Sequence, residues 1–140
     1  MRIHRLGVIL AAVLALPALA GCSSSDLGAQ VTSVDGVACS TAVKPPSGMK
    51  VLIVARLPAQ AVSTLRLIAG GGPYPYDEDG TVFGNYQRML PREPYGYYHE
   101  FTVNTPGAPT RGARRVVTGS GGQDYYTPDH YLTFDWISCG

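Results

Sequence analysis

Residues 57–73, LPAQAVSTLRLIAGGGP, indicate the one clear helix of the chain and decide its fold class. Pro58 suits the start of a helix, because its φ is already helical and its missing N–H costs no helical hydrogen bond there. Small and apolar residues then recur at helical spacing: Ala61, Leu65, Ile68 and Ala69. Because Gly70-Gly71-Gly72-Pro73 would end the element, the pattern predicts a helix that begins after Pro58 and ends before Pro73.

Short runs rich in β-branched and aromatic residues follow the helix, each bounded by glycine or proline, which is typical of strands. These runs are residues 81–83, 97–104, 114–118 and 130–137. They predict an α+β fold, in which one N-terminal helix packs on a twisted antiparallel β-sheet of about five strands and leaves one sheet face open for a ligand. Before the helix, residues 50–57 (KVLIVARL) fit either a strand or a segment that leads into the helix.

Composition and charge restrict the class of protein. The chain of 140 residues has 45% hydrophobic residues, 17 Gly, 11 Pro and 9 Tyr, which suits one domain of short strands and turns and excludes collagen-like and disordered chains. Lys and Arg number 11 against 10 Asp and Glu, a net charge of +1. Because no overall field would hold the chain on a polyanion, any site for one must be local.

The N-terminus has the layout of a secretory signal: basic residues, an apolar run and then small residues. The apolar run, residues 6–20, is shorter than the roughly 20 residues that cross a bilayer. Leu19-Ala20-Gly21-Cys22 resembles the lipobox of bacterial lipoproteins, which are cut before the cysteine and lipidated on it. Ordinary cleavage after Ala18-Leu19-Ala20 would instead release a soluble protein with an unpaired Cys22.

Three cysteines leave one over after pairing. Cys22 stands in the lipobox pattern, so a disulfide between Cys39 and Cys139 is expected in an exported protein. The predicted organisation is a lipoprotein signal peptide at 1–21, a flexible tether at 22–30 and a folded domain at 31–140. The predicted location is extracytoplasmic, with a lipid anchor to the cell membrane through Cys22; a secreted soluble protein is the alternative.

Four motifs follow the helix, and each alone is a weak signal, since a lone glutamate, histidine or arginine cluster is more often structural. They are Asp79-Gly80-Thr81-Val82-Phe83, Tyr95-Gly96-Tyr97-Tyr98-His99-Glu100, Thr110-Arg111-Gly112-Ala113-Arg114-Arg115 and Asp129-His130-Tyr131. In this order, and with the bracketing cysteines, they resemble the secreted bacterial guanyl-specific, barnase-like ribonucleases. The resemblance extends from Leu57 to Cys139.

The resemblance implies an endoribonuclease that cuts single-stranded RNA. Glu100 would take the proton of the ribose 2′-hydroxyl as it attacks the adjacent phosphorus, and His130 would protonate the leaving 5′-oxygen. Arg111 and Arg115 would hold the phosphate, with no metal and no cofactor. Free glutamate and histidine titrate at about 4.3 and about 6.5, so base and acid forms coexist near neutral pH. Water would then open the 2′,3′-cyclic phosphate to a 3′-phosphate.

The resemblance also implies a base-recognition loop and two stacking rings. The loop is Phe83-Gly84-Asn85-Tyr86-Gln87, and the rings are those of Phe83 and Tyr131. The sequence departs from its relatives at Gln87, where they have a glutamate that accepts from guanine N1–H and the exocyclic amine together. Because an amide has one acceptor oxygen, we expect the guanine preference to be weakened by roughly 1–3 kcal/mol, or replaced.

Other residues receive plainer interpretations. His99 faces away from Glu100 by strand alternation and is expected to be hydrogen-bonded or on the surface; Asp77-Glu78-Asp79 is read as a solvated turn rather than a metal site. The expected partners are single-stranded RNA and, through Cys22, a membrane; a barstar-like protein inhibitor is a further candidate, and a monomer is expected. The alternative function is a catalytically weak surface lipoprotein that keeps the ribonuclease fold and binds nucleotides or a protein.

Overall fold

The computed structural model describes residues 31–34, 36–40 and 43–140. The predicted signal and tether, with Cys22, lie outside the described residues, and so does the side chain of Cys39. The elements in chain order are β1 (Val31–Val34), β2 (Val37–Ser40), β3 (Lys50–Ile53), α1 (Ala59–Gly70), β4 (Thr81–Val82), β5 (Tyr98–Thr102), β6 (Arg115–Gly119), β7 (Asp124–Thr127) and β8 (Asp135–Ser138). A short 3-10 helix, Val54–Arg56, links β3 to α1.

The helix has the predicted position and ends. Pro58 is its N-cap, and Gly71 follows it with a left-handed φ of 74°. The Gly71 and Gly72 N–H groups donate to the carbonyls of Ile68 and Leu67, at 3.1 and 2.9 Å. These bonds satisfy helix carbonyls that would otherwise have no partner, which is why a glycine stops the helix here. The prediction of one N-terminal helix is confirmed.

The main sheet differs from the predicted one in strand number and in direction. Six strands are ordered β3-β8-β7-β6-β5-β4, and β1 with β2 forms a separate antiparallel hairpin. All neighbours in the main sheet are antiparallel except β3 and β8, which run parallel. Residues 50–53 are therefore a strand, and the α+β fold has a mixed sheet rather than an antiparallel one. Parallel strands need a long crossover connection. Here the connection from β3 to β8 contains α1 and the strands β4 to β7.

Two apolar clusters lie on the two faces of the sheet. The cluster under α1 contains Ala61 and Leu65 of the helix with Val116, Tyr126 and Ile137 of the sheet. The other face, expected to be open, is partly covered by loop residues that pack on strand residues in a second, aromatic cluster: Leu90, Tyr98, Val117, Tyr125, Phe134 and Trp136. A ligand site on this face is therefore restricted to the end that holds β4, β5 and the loops beside them.

One strand was missed, and one strand boundary was predicted wrongly. β7 was missed, and β8 begins at Asp135 rather than at His130, because residues 128–134 form a loop. Cys139 is disulfide-bonded. The side chain of Cys39, its expected partner, is not among those described. In the described part of the chain, no helix is long and apolar enough to cross a membrane.

Candidate active site

Glu100 lies in the middle of β5 on the sheet face away from α1, which it shares with Tyr98 and Thr102 by strand alternation. Its side chain is only 15% exposed. The Tyr131 hydroxyl donates a hydrogen bond to Oε2, and Arg111 Nη2 lies 3.6 Å from Oε1. Each carboxylate oxygen is thus held by a donor or a cation from a different loop.

Arg111 is fixed by groups on three sides. Its Nε and Nη2 donate to Thr102 Oγ1 at 3.0 and 2.7 Å. Nε also lies 3.4 Å from Glu78 Oε2, and the guanidinium carbon lies 5.9 Å from the centre of the Tyr76 ring. The arginine therefore sits between two carboxylates, Glu78 and Glu100, over an aromatic face, which is a favourable position for a cation.

The turn after Arg111 depends on a glycine. Gly112 has a φ of +68°, and a Cβ there would lie 2.4 Å from Thr105 Oγ1, so other residues would be both strained and obstructed. The turn leads into Arg115 at the start of β6, which is only 3% exposed. Arg115 Nη1 donates to the carbonyls of Gly112 and Arg114 at 2.8 and 2.7 Å. Its Nε is buried and has no hydrogen-bond partner among the described residues.

The loop that carries His130 and Tyr131 has an unusual backbone. Both residues have positive φ, 58° and 73°, a conformation that is costly for side chains other than glycine. Asp129 holds the loop closed, because its carboxylate accepts from the N–H and the hydroxyl of Thr133 at 2.9 and 2.6 Å. These bonds hold the pKa of Asp129 below its usual range, and the bond from the Thr133 hydroxyl has the largest effect. His130 is exposed, and its N–H donates to Ala113 O at 3.0 Å.

Tyr131 connects the predicted site residues. Its ring lies 4.7 Å from the His130 ring and 5.0 Å from the Phe83 ring. Burial, followed by the hydrogen bond to Glu100, raises its pKa above the usual range, while the nearby Arg115 lowers it. The hydroxyl therefore stays protonated at ordinary pH, and it serves as a donor to Glu100.

The predicted recognition loop is held by one of its own side chains. Asn85 has a φ of 49°, its Nδ2 donates to the carbonyls of Leu90 and Pro91 at 2.9 and 3.2 Å, and its Oδ1 accepts from Leu90 N–H. Its amide is thus engaged with the chain itself. Tyr86 is 83% exposed, and its ring covers Gly84, where a Cβ would lie 2.4 Å from a ring carbon. Gln87 is exposed.

The structure brings most of the predicted residues together. Glu100, Arg111, Arg115, Tyr131 and His130 form one connected group through the contacts above, and Phe83 joins it through Tyr131. Among the described residues, no hydrogen bond or ion pair joins the Gln87 side chain to this group.

Several members of the site were missed from the sequence. Asp77-Glu78-Asp79 was interpreted as a solvated turn, but two of its carboxylates contact the site. Glu78 lies beside Arg111, and Asp79 accepts a hydrogen bond from Thr102 N–H at 2.6 Å. Strand alternation could have indicated Thr102, which shares a face with Glu100, but Tyr76 gave no local signal. His99 is hydrogen-bonded as expected, with ring nitrogens 2.8 and 3.1 Å from the carbonyl oxygens of Gly80 and Gly96.

This arrangement offers a carboxylate that can accept a proton, an exposed imidazole and two arginines, all near one protonated phenol. That set suits acid–base chemistry on a phosphate ester. Among the described residues no group of three or more His, Cys, Asp or Glu side chains could hold a metal ion.

Comparison with known proteins gives the family. The family model for ribonuclease matches residues 40–138. The chain is 60% identical over 82 residues to guanyl-specific ribonuclease Sa of Kitasatospora aureofaciens, covering 58% of this chain and 85% of that protein. It is 54% identical over 88 residues to guanyl-specific ribonuclease St of Saccharopolyspora erythraea, covering 63% and 87%.

Solved structures agree with the sequence comparisons. Ribonuclease Sa2 with guanosine-2′-cyclophosphate is 54% identical, has a TM-score of 0.63, and is matched over 65% of this chain and 97% of that chain. Ribonuclease Sa2 in complexes with mononucleotides is 53% identical, with a TM-score of 0.65 and coverage of 66% and 97%. From the family match over most of its length and from these relatives, we conclude that this protein belongs to the ribonuclease family and is an endoribonuclease.

Proposed function

We propose that this protein cleaves single-stranded RNA through a 2′,3′-cyclic phosphate, with Glu100 and His130 as the acid–base pair and without a metal ion. The observation that carries the proposal is the position of the Glu100 carboxylate, between the Tyr131 hydroxyl on one oxygen and Arg111 on the other. These groups orient a proton acceptor beside a cation, which is what activation of a hydroxyl next to a phosphate requires.

In the first step, Glu100 takes the proton of the ribose 2′-hydroxyl, and the 2′-oxygen forms a bond to the adjacent phosphorus. The bond from phosphorus to the 5′-oxygen breaks, and the protonated His130 gives its proton to that oxygen. The products are a 2′,3′-cyclic phosphate and a free 5′-hydroxyl. In the second step the two residues exchange roles: His130 takes a proton from water, which opens the ring, and Glu100 protonates the 2′-oxygen to leave a 3′-phosphate.

The two arginines are proposed to hold the phosphate. The buried Nε of Arg115 has no acceptor among the described residues, and a buried donor without a partner is costly. A non-bridging phosphate oxygen would satisfy this donor and would also bring negative charge near Arg111. As the phosphorus becomes five-coordinate its oxygens gain charge, so both cations would stabilise the transition state more than the substrate.

A test of this function is digestion of RNA in EDTA by the protein from Val31 onward, beside a His130→Ala variant. We expect the unmodified protein to produce cyclic-phosphate and then 3′-phosphate ends, and the variant to lose them, because no other acid would protonate the leaving oxygen. His130 is exposed, so the variant should remain folded, which circular dichroism would check. A DNA strand of the same sequence is the second control, since it lacks the attacking 2′-hydroxyl.

Three outcomes would be informative. Cleavage that needs a metal ion, or that His130→Ala leaves unchanged, would contradict the mechanism. Binding of guanosine nucleotides with no turnover by either protein would favour the alternative, a binding lipoprotein with the ribonuclease fold, which is motivated by the glutamine at position 87 and by the predicted membrane tether.

Base recognition is proposed to use the loop Phe83-Gly84-Asn85-Tyr86-Gln87, with Phe83 and Tyr131 as stacking rings. The Asn85 side chain fixes the backbone of this loop through its bonds to Leu90, and we propose that the loop amides face the base. Gln87 has one acceptor for the two donors on the guanine edge, so the guanine preference is weaker than a carboxylate would give.

Replacing Gln87 by glutamate is therefore expected to raise the preference for guanine by about 5- to 150-fold, the equivalent of about 1–3 kcal/mol. The ratio of kcat/KM for a guanine dinucleotide to that for the matching adenine dinucleotide measures the change. Gln60→Glu, the same charge change on α1, is the matched control. An equal rise in that control, or an unchanged ratio for Gln87→Glu, would show that residue 87 does not contact the base.

The location of the enzyme follows from the N-terminal sequence. We propose a signal peptide at 1–21, a lipid on Cys22, a tether at 22–30 and the ribonuclease domain at 31–140, with the enzyme anchored outside the cytoplasm. We also propose Cys39 as the partner of the disulfide-bonded Cys139, a monomeric state, and a barstar-like inhibitor as a candidate partner. Mass spectrometry of the mature protein would show whether Cys22 is acylated or was removed with an ordinary signal.

A further inference from the structure

We propose that Arg88 and Arg92 form a second phosphate-binding site, which holds the RNA backbone beyond the nucleotide that reacts. The proposal rests on the endoribonuclease function proposed above. The two arginines line a cavity of about 240 Å³ beside the segment 84–93. The cavity is lined by Gly84, Asn85, Tyr86, Arg88, Arg92 and Glu93.

The charges at this cavity are available for a ligand. Both arginine side chains are exposed, and neither forms an ion pair or a side-chain hydrogen bond with the residues that the structure describes. Glu93 also lines the cavity, so the surface carries one net positive charge before a ligand binds. Two guanidinium groups beside one cavity can hold a phosphodiester by charge-assisted hydrogen bonds, and the single carboxylate leaves one of them uncompensated.

The backbone presents the cavity in a fixed form. Asn85 and Arg88 both have positive φ, 49° and 55°, and Arg88 N–H donates to Asn85 O at 2.9 Å, which closes a turn. The hydrogen bonds from the Asn85 amide to Leu90 and Pro91 then hold the far side of the segment. Because this geometry is set by the chain itself, little order would have to be gained when a ligand binds.

A series of residue contacts links the lining of the cavity to the reacting site. Glu100 is bonded to Tyr131, whose ring lies 5.0 Å from Phe83. Phe83 is followed directly by Gly84, a lining residue, on which the exposed ring of Tyr86 packs. Cationic groups beside an exposed aromatic ring are the features by which proteins bind single-stranded nucleic acid with little sequence preference. The ligand class that fits is therefore the next stretch of the same RNA strand.

The test compares a substrate long enough to place a further phosphate at the two arginines with one that carries only the reacting phosphate. The Arg88→Gln, Arg92→Gln double variant is assayed on a hexanucleotide and on the dinucleoside monophosphate of its cleaved step. We expect KM for the hexanucleotide to rise by about 3- to 30-fold, with a much smaller change for the dinucleotide. The slope of log affinity against log salt should fall by about 0.7 in magnitude, the contribution of one phosphate contact on a single strand. The Lys44→Gln, Arg56→Gln double variant, which removes the same charge from two exposed residues, is the matched control.

Three results would overturn the proposal. An equal loss on the dinucleotide would mean that the arginines act on the reacting nucleotide. An equal loss in the Lys44→Gln, Arg56→Gln control would mean that only overall charge matters, and an unchanged KM would mean that the site is not used. Binding of a 2′-deoxy hexanucleotide, which cannot react, is measured in parallel. If the unmodified protein cleaves nothing but binds this probe, and the double variant binds it more weakly, the second site stands although the proposed catalysis fails.

Discussion

Replacing Glu100 by glutamine is expected to lower kcat/KM for RNA by about 10²- to 10⁴-fold, the usual contribution of a general base. The amide has nearly the same shape, and its oxygen can still accept the hydrogen bond from Tyr131. What it cannot do is take the proton of the 2′-hydroxyl. The loss should therefore fall on kcat, while the affinity for a nucleotide product changes little.

The measurement is kcat/KM on a dinucleoside monophosphate across the acid and neutral range. In the unmodified protein the rate should fall at low pH as the base becomes protonated and at high pH as the acid loses its proton. In Glu100→Gln the fall at low pH should disappear. Asp77→Asn removes an exposed carboxylate from the turn beside Glu78 and is the control for charge alone. If Glu100→Gln kept more than about a tenth of the activity, Glu100 would not be the general base.

The helix could be predicted from the sequence because its limits are set locally. Pro58 and Gly71 determine where α1 begins and ends, whatever lies around them. The pairing of β3 with β8 could not be predicted in the same way. It joins Lys50–Ile53 to Asp135–Ser138, and no property of either segment alone shows that they are neighbours or that they run parallel. The sheet was therefore predicted with too few strands and as purely antiparallel.

The loop of His130 shows a second limit of sequence patterns. Alternating apolar residues from 130 to 137 predicted a strand, but Leu132 is 73% exposed and His130 and Tyr131 adopt left-handed conformations. The bonds between Asp129 and Thr133 decide the conformation, because they stabilise a tight loop against a strand that the pattern also allows. The resemblance assigned His130 and Tyr131 to the same site as Glu100, and in the structure Tyr131 donates to Glu100 while the His130 ring lies against Tyr131; periodicity gave no such indication.

The partners of Arg111 show why charged turns are difficult to interpret. Asp77-Glu78-Asp79 has the composition of a solvated turn, and Asp77 is exposed, as expected for such a turn. Glu78 nevertheless contacts Arg111, and Asp79 contacts Thr102, although both partners lie far along the chain. The sheet brings these segments together through the pairing of β4 with β5. A carboxylate gains a cationic partner only once the fold is formed.

Replacing Asp124 by asparagine is expected to stabilise the protein by about 2 to 4 kcal/mol above neutral pH. Asp124 begins β7 opposite Thr118, and burial raises the pKa of its carboxyl from 3.8 to about 7. Among the described residues no neighbouring charge offsets this effect. The ionised carboxylate is therefore disfavoured in the folded protein, whereas it is freely hydrated in the unfolded chain.

The sign of the pH dependence follows from this difference. Below about pH 3.8 both states hold the proton, so Asp124 costs no stability through ionisation. Between that value and about 7 the folded protein holds a proton that the unfolded chain has released, so the free energy of unfolding falls as the pH rises. Above about 7 both states are ionised, and the penalty stays constant. Asparagine cannot ionise and avoids the whole penalty.

The test is therefore the difference in unfolding free energy between Asp124→Asn and the unmodified protein, measured by urea denaturation at several pH values. This difference should be small at acid pH, increase through the range between the two pKa values, and then stay level. Asp77→Asn, with its exposed carboxylate, should show no such increase. Since the other ionisable groups are common to both proteins, their contributions cancel in the difference. A constant difference at all pH values would mean that asparagine acts through packing or hydrogen bonds, and that the buried carboxylate is not the source of the pH dependence.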